Sequence, residues 1–164
     1  MKFRCLLMCI ALLAGKADAR ETFLGQVTHV TDGDTLWVQP DEGGPARKLR
    51  LRGLDAPEIC QQGGMAAREF LVQLALRRRV TVNVVTDDPW GRGVATIALD
   101  GRDLGAEIVR AGLAWSYGWR GRAGVYAAQE ALARGSGQGV FALPEPQSPR
   151  DFRKRHGSCR AVAP

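Results

Sequence analysis

Five short segments of the chain have the pattern of β-strands: residues 49–52 alternate apolar and basic side chains, residues 80–86 are rich in β-branched residues, and the other three segments are short, contain apolar residues and are followed by turn residues. Gly25 is expected to break the first of these strands. Asp32 and Gly33 are expected to form a type I′ hairpin turn after it, because both residues tolerate a positive φ. The predicted strands cover residues 21–30, 35–39, 48–54, 80–86 and 94–99.

Three further segments have the apolar spacing of amphipathic helices. The first covers residues 65–79 and follows the third strand. The second covers residues 104–111, where Asp103 is a good N-cap and Gly112 ends the helix. The third covers residues 126–134. Five short strands with a helix inserted after the third predict an α+β fold with an open or closed small barrel, and a five-stranded OB-type β-barrel with about three helices has this order of elements.

The start of the chain has the composition of a targeting segment. Residues 1–19 combine early basic residues, an apolar run and Ala17-Asp18-Ala19, which is typical of a cleaved signal peptide. The run is too short for a permanent membrane span, and no second long apolar segment follows it in the sequence. We therefore expect an exported protein, periplasmic or extracellular, with no stable membrane span after signal cleavage and a folded domain over residues 20–146.

Positive charge is concentrated at the C-terminus. The chain has a net charge of +6, and residues 147–164 contain five bases and one acid. This segment is predicted to be a basic tail that either contacts an anionic partner or is merely solvated. Cys60 and Cys159 remain after signal cleavage, and such a pair predicts a disulfide in an oxidising compartment. It would tie the tail to the loop after Glu58 and stabilise the fold by about 3–5 kcal/mol.

Candidate chemistry is concentrated in residues 49–58, Leu-Arg-Leu-Arg-Gly-Leu-Asp-Ala-Pro-Glu. Arg50 suits a phosphate, and the carboxylates Asp55 and Glu58 suit a hard metal ion. A surface strand of mixed charge that ends in a proline turn is the simpler interpretation. Asp34 begins the neighbouring predicted strand, so Asp34 and Asp55 could meet at one barrel edge and bind a divalent cation, Ca²⁺ more naturally than Zn²⁺.

Proton transfer falls to a carboxylate, because the two histidines have no partner at catalytic spacing. Glu58 is ionised at neutral pH and is the candidate general base. Arg92 lies in a glycine-flanked loop, where it could hold a phosphate together with Arg50 or could be a solvated loop residue. Trp90 beside it could stack on a base or sugar, or could only anchor the loop.

Four motifs occur in a characteristic order along the chain. They are Val-x-Asp-Gly-Asp-Thr from Val30, Arg-x-Arg-Gly-x-Asp-Ala-Pro-Glu from Arg50, Trp-Gly-Arg-x-Val-Ala from Trp90, and Val-Arg-Ala-Gly-Leu-Ala from Val109. From about residue 21 to residue 141 the sequence resembles the staphylococcal nuclease (thermonuclease) family. The resemblance implies an OB barrel with three helices and a Ca²⁺-dependent phosphodiesterase, an endonuclease that acts on DNA and RNA.

The resemblance also implies roles for individual residues around the cation. Asp34, Asp55 and the backbone carbonyl of Ala56 would ligate Ca²⁺, and the carboxylate of Asp32 would stand behind them. The family often has a threonine where this chain has Ala56, so one hydroxyl near the metal is missing. A backbone ligand survives that change.

The remaining implied roles concern the substrate. Glu58 would orient or deprotonate the attacking water, and Arg50 and Arg92 would hold the scissile phosphate. Water would attack phosphorus and the 5′ oxygen would leave. Trp90, which replaces a tyrosine of the family, and Tyr117 would contact the nucleotide.

Two other functions use some of the same features. A non-catalytic OB-fold module that binds nucleic acid would need the basic tail and Trp90, but neither Glu58 nor Asp34. An envelope-associated interaction protein would be held by its tail, residues 147–164. The complete set of charged residues favours the nuclease, which we expect to be a monomer with DNA and RNA as substrates.

Overall fold

The computed structural model of the protein describes residues 21–118 and 121–159. The strands are β1 Glu21–Val30, β2 Thr35–Pro40, β3 Arg47–Leu51, β4 Leu54–Asp55, β5 Arg79–Asp87, β6 Gly93–Leu99, β7 Arg102–Asp103 and β8 Trp115–Ser116. The helices are α1 Gly64–Ala75, α2 Leu104–Arg110, α3 Ala127–Gly135 and α4 Pro149–His156, with a 3₁₀ turn at Gly139–Ala142. The predicted signal peptide, residues 1–19, lies outside the described residues.

Five strands form a closed barrel. β1 pairs antiparallel with β2 and β5, β2 pairs with β3, and β5 pairs with β6. The parallel pairing of β3 with β6 closes the barrel. The structure therefore confirms the predicted α+β fold and OB-type barrel.

The core follows the alternation in the sequence. Every second residue is buried along β6 and along β5 up to Val84, and α1 adds Ala67, Leu71 and Ala75 at helical spacing. The side chain of Asp103 caps α2 as predicted, because its Oδ1 accepts a hydrogen bond of 2.8 Å from the N–H of Gly105. The largest fully buried side chains of this core are Leu36, Leu49, Leu51, Leu71, Ile97, Leu104 and Ile108.

Helix α1 ends at Ala75, four residues before the predicted end. Leu76 is extended and Arg77 has a φ of 63°. The N–H of Arg77 donates to the carbonyl of Val27 at 2.8 Å, and the N–H of Val27 donates to the carbonyl of Arg78 at 3.0 Å. Pairing with β1 therefore replaces the last predicted helical turn.

Two predictions about glycines are wrong. β1 continues through Gly25, where a Cβ would collide with the side chain of Val38 in β2, so this glycine allows close packing and does not break the strand. Gly33 does not adopt a left-handed φ, so the turn before β2 is not type I′. A Cβ at Gly33 would meet the side chains of Ala56 and Ala67. Close approach explains both glycines.

The predicted basic tail contains a fourth helix, α4, which the apolar pattern did not indicate. Ser148 is its N-cap, because its Oγ accepts a hydrogen bond of 3.2 Å from the N–H of Asp151. Pro149 occupies the first turn, where a missing N–H costs nothing. Among the residues that the structure describes, no helix combines the length and the apolar character needed to cross a bilayer.

Candidate functional site

A cleft of about 1270 Å³ opens where β2 begins and β3 ends. Its walls come from the turn before β2, the segment after β3, the loop between β5 and β6, and α4. The structure brings together every side chain predicted for metal binding, catalysis and nucleotide contact. The cleft is lined by Asp32, Asp34, Arg50, Asp55, Ala56, Glu58, Trp90, Arg92 and Tyr117, among others.

Arg50 bridges the two aspartates that were predicted to meet. Its Nη1 lies 2.9 Å from Oδ1 of Asp34, and its Nη2 lies 3.0 Å from Oδ1 of Asp55. Both carboxylates are buried. Because one guanidinium spans them, Asp34 and Asp55 share one side of the cleft, as the strand pattern predicted.

Burial makes ionisation of Asp34 unfavourable. Together with the neighbouring charges of Asp32 and Asp55, and against the effect of Arg50, burial raises the pKa of Asp34 to about 7. The hydroxyl of Thr35 donates to Oδ1 of Asp34 at 3.0 Å, and the N–H of Ala56 donates to Oδ2 at 3.2 Å. A cation next to this carboxylate would favour its ionised form.

The donor chemistry of the pair fits a hard divalent cation. Within residues 21–118 and 121–159, no group of three or more His, Cys, Asp or Glu side chains is arranged around a common metal position. Ca²⁺ takes six to eight oxygen ligands and accepts backbone carbonyls and water among them. Asp34 and Asp55 could therefore supply the anionic ligands of such a site, with the others coming from carbonyls and water.

Glu58 lies in a tight turn that ends at Gln61. The N–H of Gln61 donates to the carbonyl of Glu58 at 2.8 Å, and the side-chain Oε1 of Gln61 accepts from the N–H of Glu58 at 3.2 Å. Gly64 at the start of α1 packs directly on the Glu58 carbonyl and leaves no room for a Cβ. Gln61 was predicted only to lie in a loop, and no sequence pattern indicates a role for its side chain.

Asp88 organises the loop that carries Arg92. It accepts hydrogen bonds from Nε of Arg92 at 2.6 Å, from the N–H of Arg92 at 3.0 Å and from the N–H of Trp90 at 2.9 Å. Although burial opposes its charge, these hydrogen bonds hold the pKa of Asp88 below its usual range. The loop is therefore fixed by a carboxylate that the sequence analysis did not single out for this role.

The structure decides between the alternatives for Arg92 and Trp90. The side chain of Arg92 is only 18% exposed, and its Nη1 lies 3.4 Å from the hydroxyl of Thr35, next to Asp34. Arg92 is thus directed into the site and is not a solvated loop residue. Trp90 is 78% exposed, with its ring centroid 5.4 Å from Cζ of Arg92, so it does not anchor the loop.

Arg153 is the site residue that the sequence analysis missed. It projects from α4, and its Nη2 lies 2.8 Å from Oδ2 of Asp55. Its Nη1 lies 3.1 Å from Oδ1 of Asp55 and 3.0 Å from Oε1 of Glu58. The predicted Cys60–Cys159 disulfide is confirmed, with 5.9 Å between the Cα atoms. That disulfide was the available signal, because it brings the tail beside Glu58.

A closed five-stranded barrel with carboxylates and arginines in one rim cleft defines a small OB-fold protein whose site suits an anionic ligand. The family model for the staphylococcal nuclease homologue matches residues 48–142. The chain belongs to the staphylococcal nuclease family, as its motifs indicated.

Similar proteins agree with this assignment. The chain is 32% identical to protein ParB of Escherichia coli over 162 residues, which cover 92% of this chain and 90% of that protein. It is 28% identical to an uncharacterized endonuclease of Haemophilus influenzae, over 85% of this chain and 78% of that protein. It is 33% identical to a probable staphylococcal-like nuclease of Oryza sativa, over 68% of this chain and 34% of that protein. Family membership supports a nuclease function.

Proposed function

We propose that this member of the family is an exported, Ca²⁺-dependent nuclease that hydrolyses phosphodiester bonds of DNA and RNA. One observation carries the proposal: a buried carboxylate pair, a further carboxylate and two arginines converge in one cleft. Phosphodiester hydrolysis needs a cation site, a proton acceptor and donors for the phosphate, and this cleft contains side chains for all three.

The cation would be held by Asp34 and Asp55, with the carbonyl of Ala56 as a further ligand. Bound Ca²⁺ would polarise a phosphate oxygen and offset the negative charge that develops on it. Asp32 would support this arrangement through the backbone, because its Oδ1 accepts a hydrogen bond of 3.0 Å from the N–H of Asp34. That contact orients the turn from which Asp34 projects.

Glu58 would accept a proton from the attacking water. As the water oxygen bonds to phosphorus, the bond from phosphorus to the 5′ oxygen breaks and the phosphate stays on the 3′ side. Arg50 and Arg92 would each donate hydrogen bonds to the phosphate oxygens, which carry the most charge in the transition state. Both guanidiniums already have carboxylate partners, Asp34 for Arg50 and Asp88 for Arg92, which hold them at the cleft. Bound substrate would take some of these N–H donors for its phosphate.

Contacts to the rest of the nucleic acid would come from the rim of the cleft. Trp90 and Tyr117 are exposed aromatic side chains that line it, and they could stack on bases. Lys48, Arg52 and Arg122 also line it and could neutralise neighbouring phosphates. Stacking and phosphate contacts are insensitive to the sugar, which is consistent with both DNA and RNA as substrates.

The test is an activity gel with DNA and with RNA, run with Ca²⁺ and with a chelator. We expect clearing that the chelator abolishes and added Ca²⁺ restores. Glu58→Gln should lose turnover, while Glu69→Gln, an exposed glutamate of α1, should keep it. Cleavage by Glu58→Gln at the wild-type rate would contradict the role of Glu58 as proton acceptor. Undiminished cleavage in the presence of chelator would contradict the requirement for a cation.

The export part of the proposal rests on residues 1–19. N-terminal sequencing of the protein from a periplasmic or culture fraction should give a chain that begins at Arg20. Recovery of the intact chain in the cytoplasmic fraction alone would contradict export and would leave the nuclease proposal untouched.

One contact favours a non-catalytic module that binds nucleic acid. Arg153 pairs with Asp55 and Glu58, which would otherwise be available for catalysis. This alternative predicts a gel shift with single-stranded DNA but no turnover at millimolar Ca²⁺. Turnover under those conditions excludes it.

A further inference from the structure

The carboxylate proposed for the cation already has two cationic partners. Oδ2 of Asp55 accepts a hydrogen bond from Arg153, and Oδ1 accepts from both Arg153 and Arg50. The same Nη1 of Arg153 reaches Oε1 of Glu58. The guanidinium of Arg153 therefore lies between the proposed metal ligand and the proposed base.

Arg153 is held in this position by covalent and hydrogen-bonded connections. The Cys60–Cys159 disulfide joins the end of the C-terminal segment to the loop after Glu58. At the other end of the segment, the side chain of Gln61 donates a hydrogen bond of 2.8 Å to the carbonyl of Gln147. Helix α4 is thus attached to the catalytic loop on both sides of Arg153.

The other basic residues of α4 do not share this environment. The side chain of Arg153 is 33% exposed, whereas Arg150, Lys154 and Arg155 are exposed. Of the helix, only Arg153 lines the cleft within the part of the chain that the structure describes. The high charge of the tail therefore does not by itself explain the contact.

We propose that Arg153 is an intramolecular competitor of the divalent cation, so that the arginine and Ca²⁺ are alternative partners of Asp55. The tethered helix would then set the Ca²⁺ concentration at which the site is loaded. This inference rests on the proposed Ca²⁺-dependent function and adds a residue that determines its metal requirement.

Two physical effects support the competition. A guanidinium in contact with Asp55 repels a second cation at the same carboxylate, and that carboxylate has few lone pairs left to offer. Arg153 belongs to the same chain as Asp55, so its binding is intramolecular, and the disulfide shortens the connection between them and raises the effective concentration of the arginine at the site. A guanidinium stays protonated at any pH at which the enzyme would work, so the positive charge of Arg153 is always present at the site.

The experiment measures Ca²⁺ binding without substrate, by isothermal titration calorimetry on the purified protein. Wild type is compared with Arg153→Gln and with the matched control Arg155→Gln on the exposed face of α4. We expect the Kd for Ca²⁺ to fall about tenfold or more in Arg153→Gln, because a bidentate charged hydrogen bond no longer has to be broken. The control should keep the wild-type Kd.

A second variant tests the tether. The double variant Cys60→Ser, Cys159→Ser keeps Arg153 but lowers the effective concentration of the arginine at the site. The Kd of this double variant for Ca²⁺ should therefore fall below that of wild type. If Arg153→Gln does not fold, judged by its unfolding transition, this double variant decides the question alone.

The outcomes separate the inference from the function on which it rests. An unchanged or weaker Ca²⁺ affinity in Arg153→Gln overturns the competition and leaves a Ca²⁺-dependent nuclease intact. If neither wild type nor any of the three variants binds Ca²⁺, the proposed metal dependence is overturned, and the competition with it. Tighter binding in Arg155→Gln to the same degree as in Arg153→Gln also overturns it, because the effect is then one of net charge.

Discussion

The side chain of Gln61 accepts a hydrogen bond of 3.2 Å from the backbone N–H of Glu58. The other end of the same amide donates to the carbonyl of Gln147, and the residue is 7% exposed. An uncharged, buried side chain therefore links the loop of the candidate base to the C-terminal segment. We infer that this side chain positions Glu58.

Replacing Gln61 should affect both stability and turnover. Gln61→Ala leaves the Glu58 N–H and the Gln147 carbonyl without this partner, so we expect a loss of about 1–3 kcal/mol in the free energy of unfolding. Turnover should fall with little change in KM, because Glu58 is displaced while the substrate contacts remain. Urea unfolding and steady-state kinetics measure the two effects. Gln62→Ala, at the exposed neighbouring position, is the control, and equal kcat values in the two variants would contradict this role.

Arg50→Lys should separate the charge at residue 50 from the shape of its side chain. A lysine keeps the charge but cannot span Asp34 and Asp55 with one planar fork. We expect kcat to fall about 10²–10³-fold, on the scale of one lost transition-state donor. The matched control is Arg47→Lys on the same strand, where the pair with Glu21 is at the surface. Similar rates for both variants would show that charge alone suffices.

Trp90→Ala should weaken substrate binding and leave the fold intact. The ring is exposed, so the free energy of unfolding should change by less than about 0.5 kcal/mol. Loss of a stacked base should cost about 1–3 kcal/mol, which is roughly 5- to 150-fold in affinity. Binding of a single-stranded oligonucleotide is the measurement, and Trp90→Tyr should restore most of it. A loss of binding that no aromatic residue restores would point away from stacking.

Asp88 should make stability depend on pH. Its pKa in the folded protein is lowered, so its contribution is present above the ordinary value of about 3.9 and is lost as pH falls through the folded value. Wild type should therefore be more stable than Asp88→Asn at pH 7, and the difference should shrink below about pH 4. Denaturant unfolding at several pH values checks this. Asp87→Asn, at the exposed neighbouring position, is the control variant.

Much of the site could be predicted from sequence because its residues lie in short local motifs. The turn at Asp34 and the segment from Arg50 to Glu58 belong to consecutive strands of a meander, so strand pairing is enough to bring them together. Arg92 was harder to locate, because its loop reaches the cleft through the parallel pairing of β3 with β6. Local spacing does not specify a pairing between distant strands.

The errors have the same origin. The pattern carried α1 past Ala75, but hydrogen bonds to Val27 end the helix, and they join segments far apart in the chain. Gly33 was explained by its backbone freedom, although the contact of Ala56 and Ala67 with it is what excludes a side chain. In both cases a tertiary contact decided the local structure.

The sequence by itself determined the barrel strands, the family, the disulfide and the set of charged residues that meet in the cleft, because alternation, cysteine count and compact motifs express these locally. Only the tertiary structure decided that Arg153 contacts Asp55 and Glu58. The same is true of the hydrogen bond by which Gln61 holds the loop that carries Glu58. The sequence of a basic helix does not indicate which of its arginines faces the cleft. That choice depends on how the disulfide and the Gln61–Gln147 hydrogen bond seat α4 against the barrel rim.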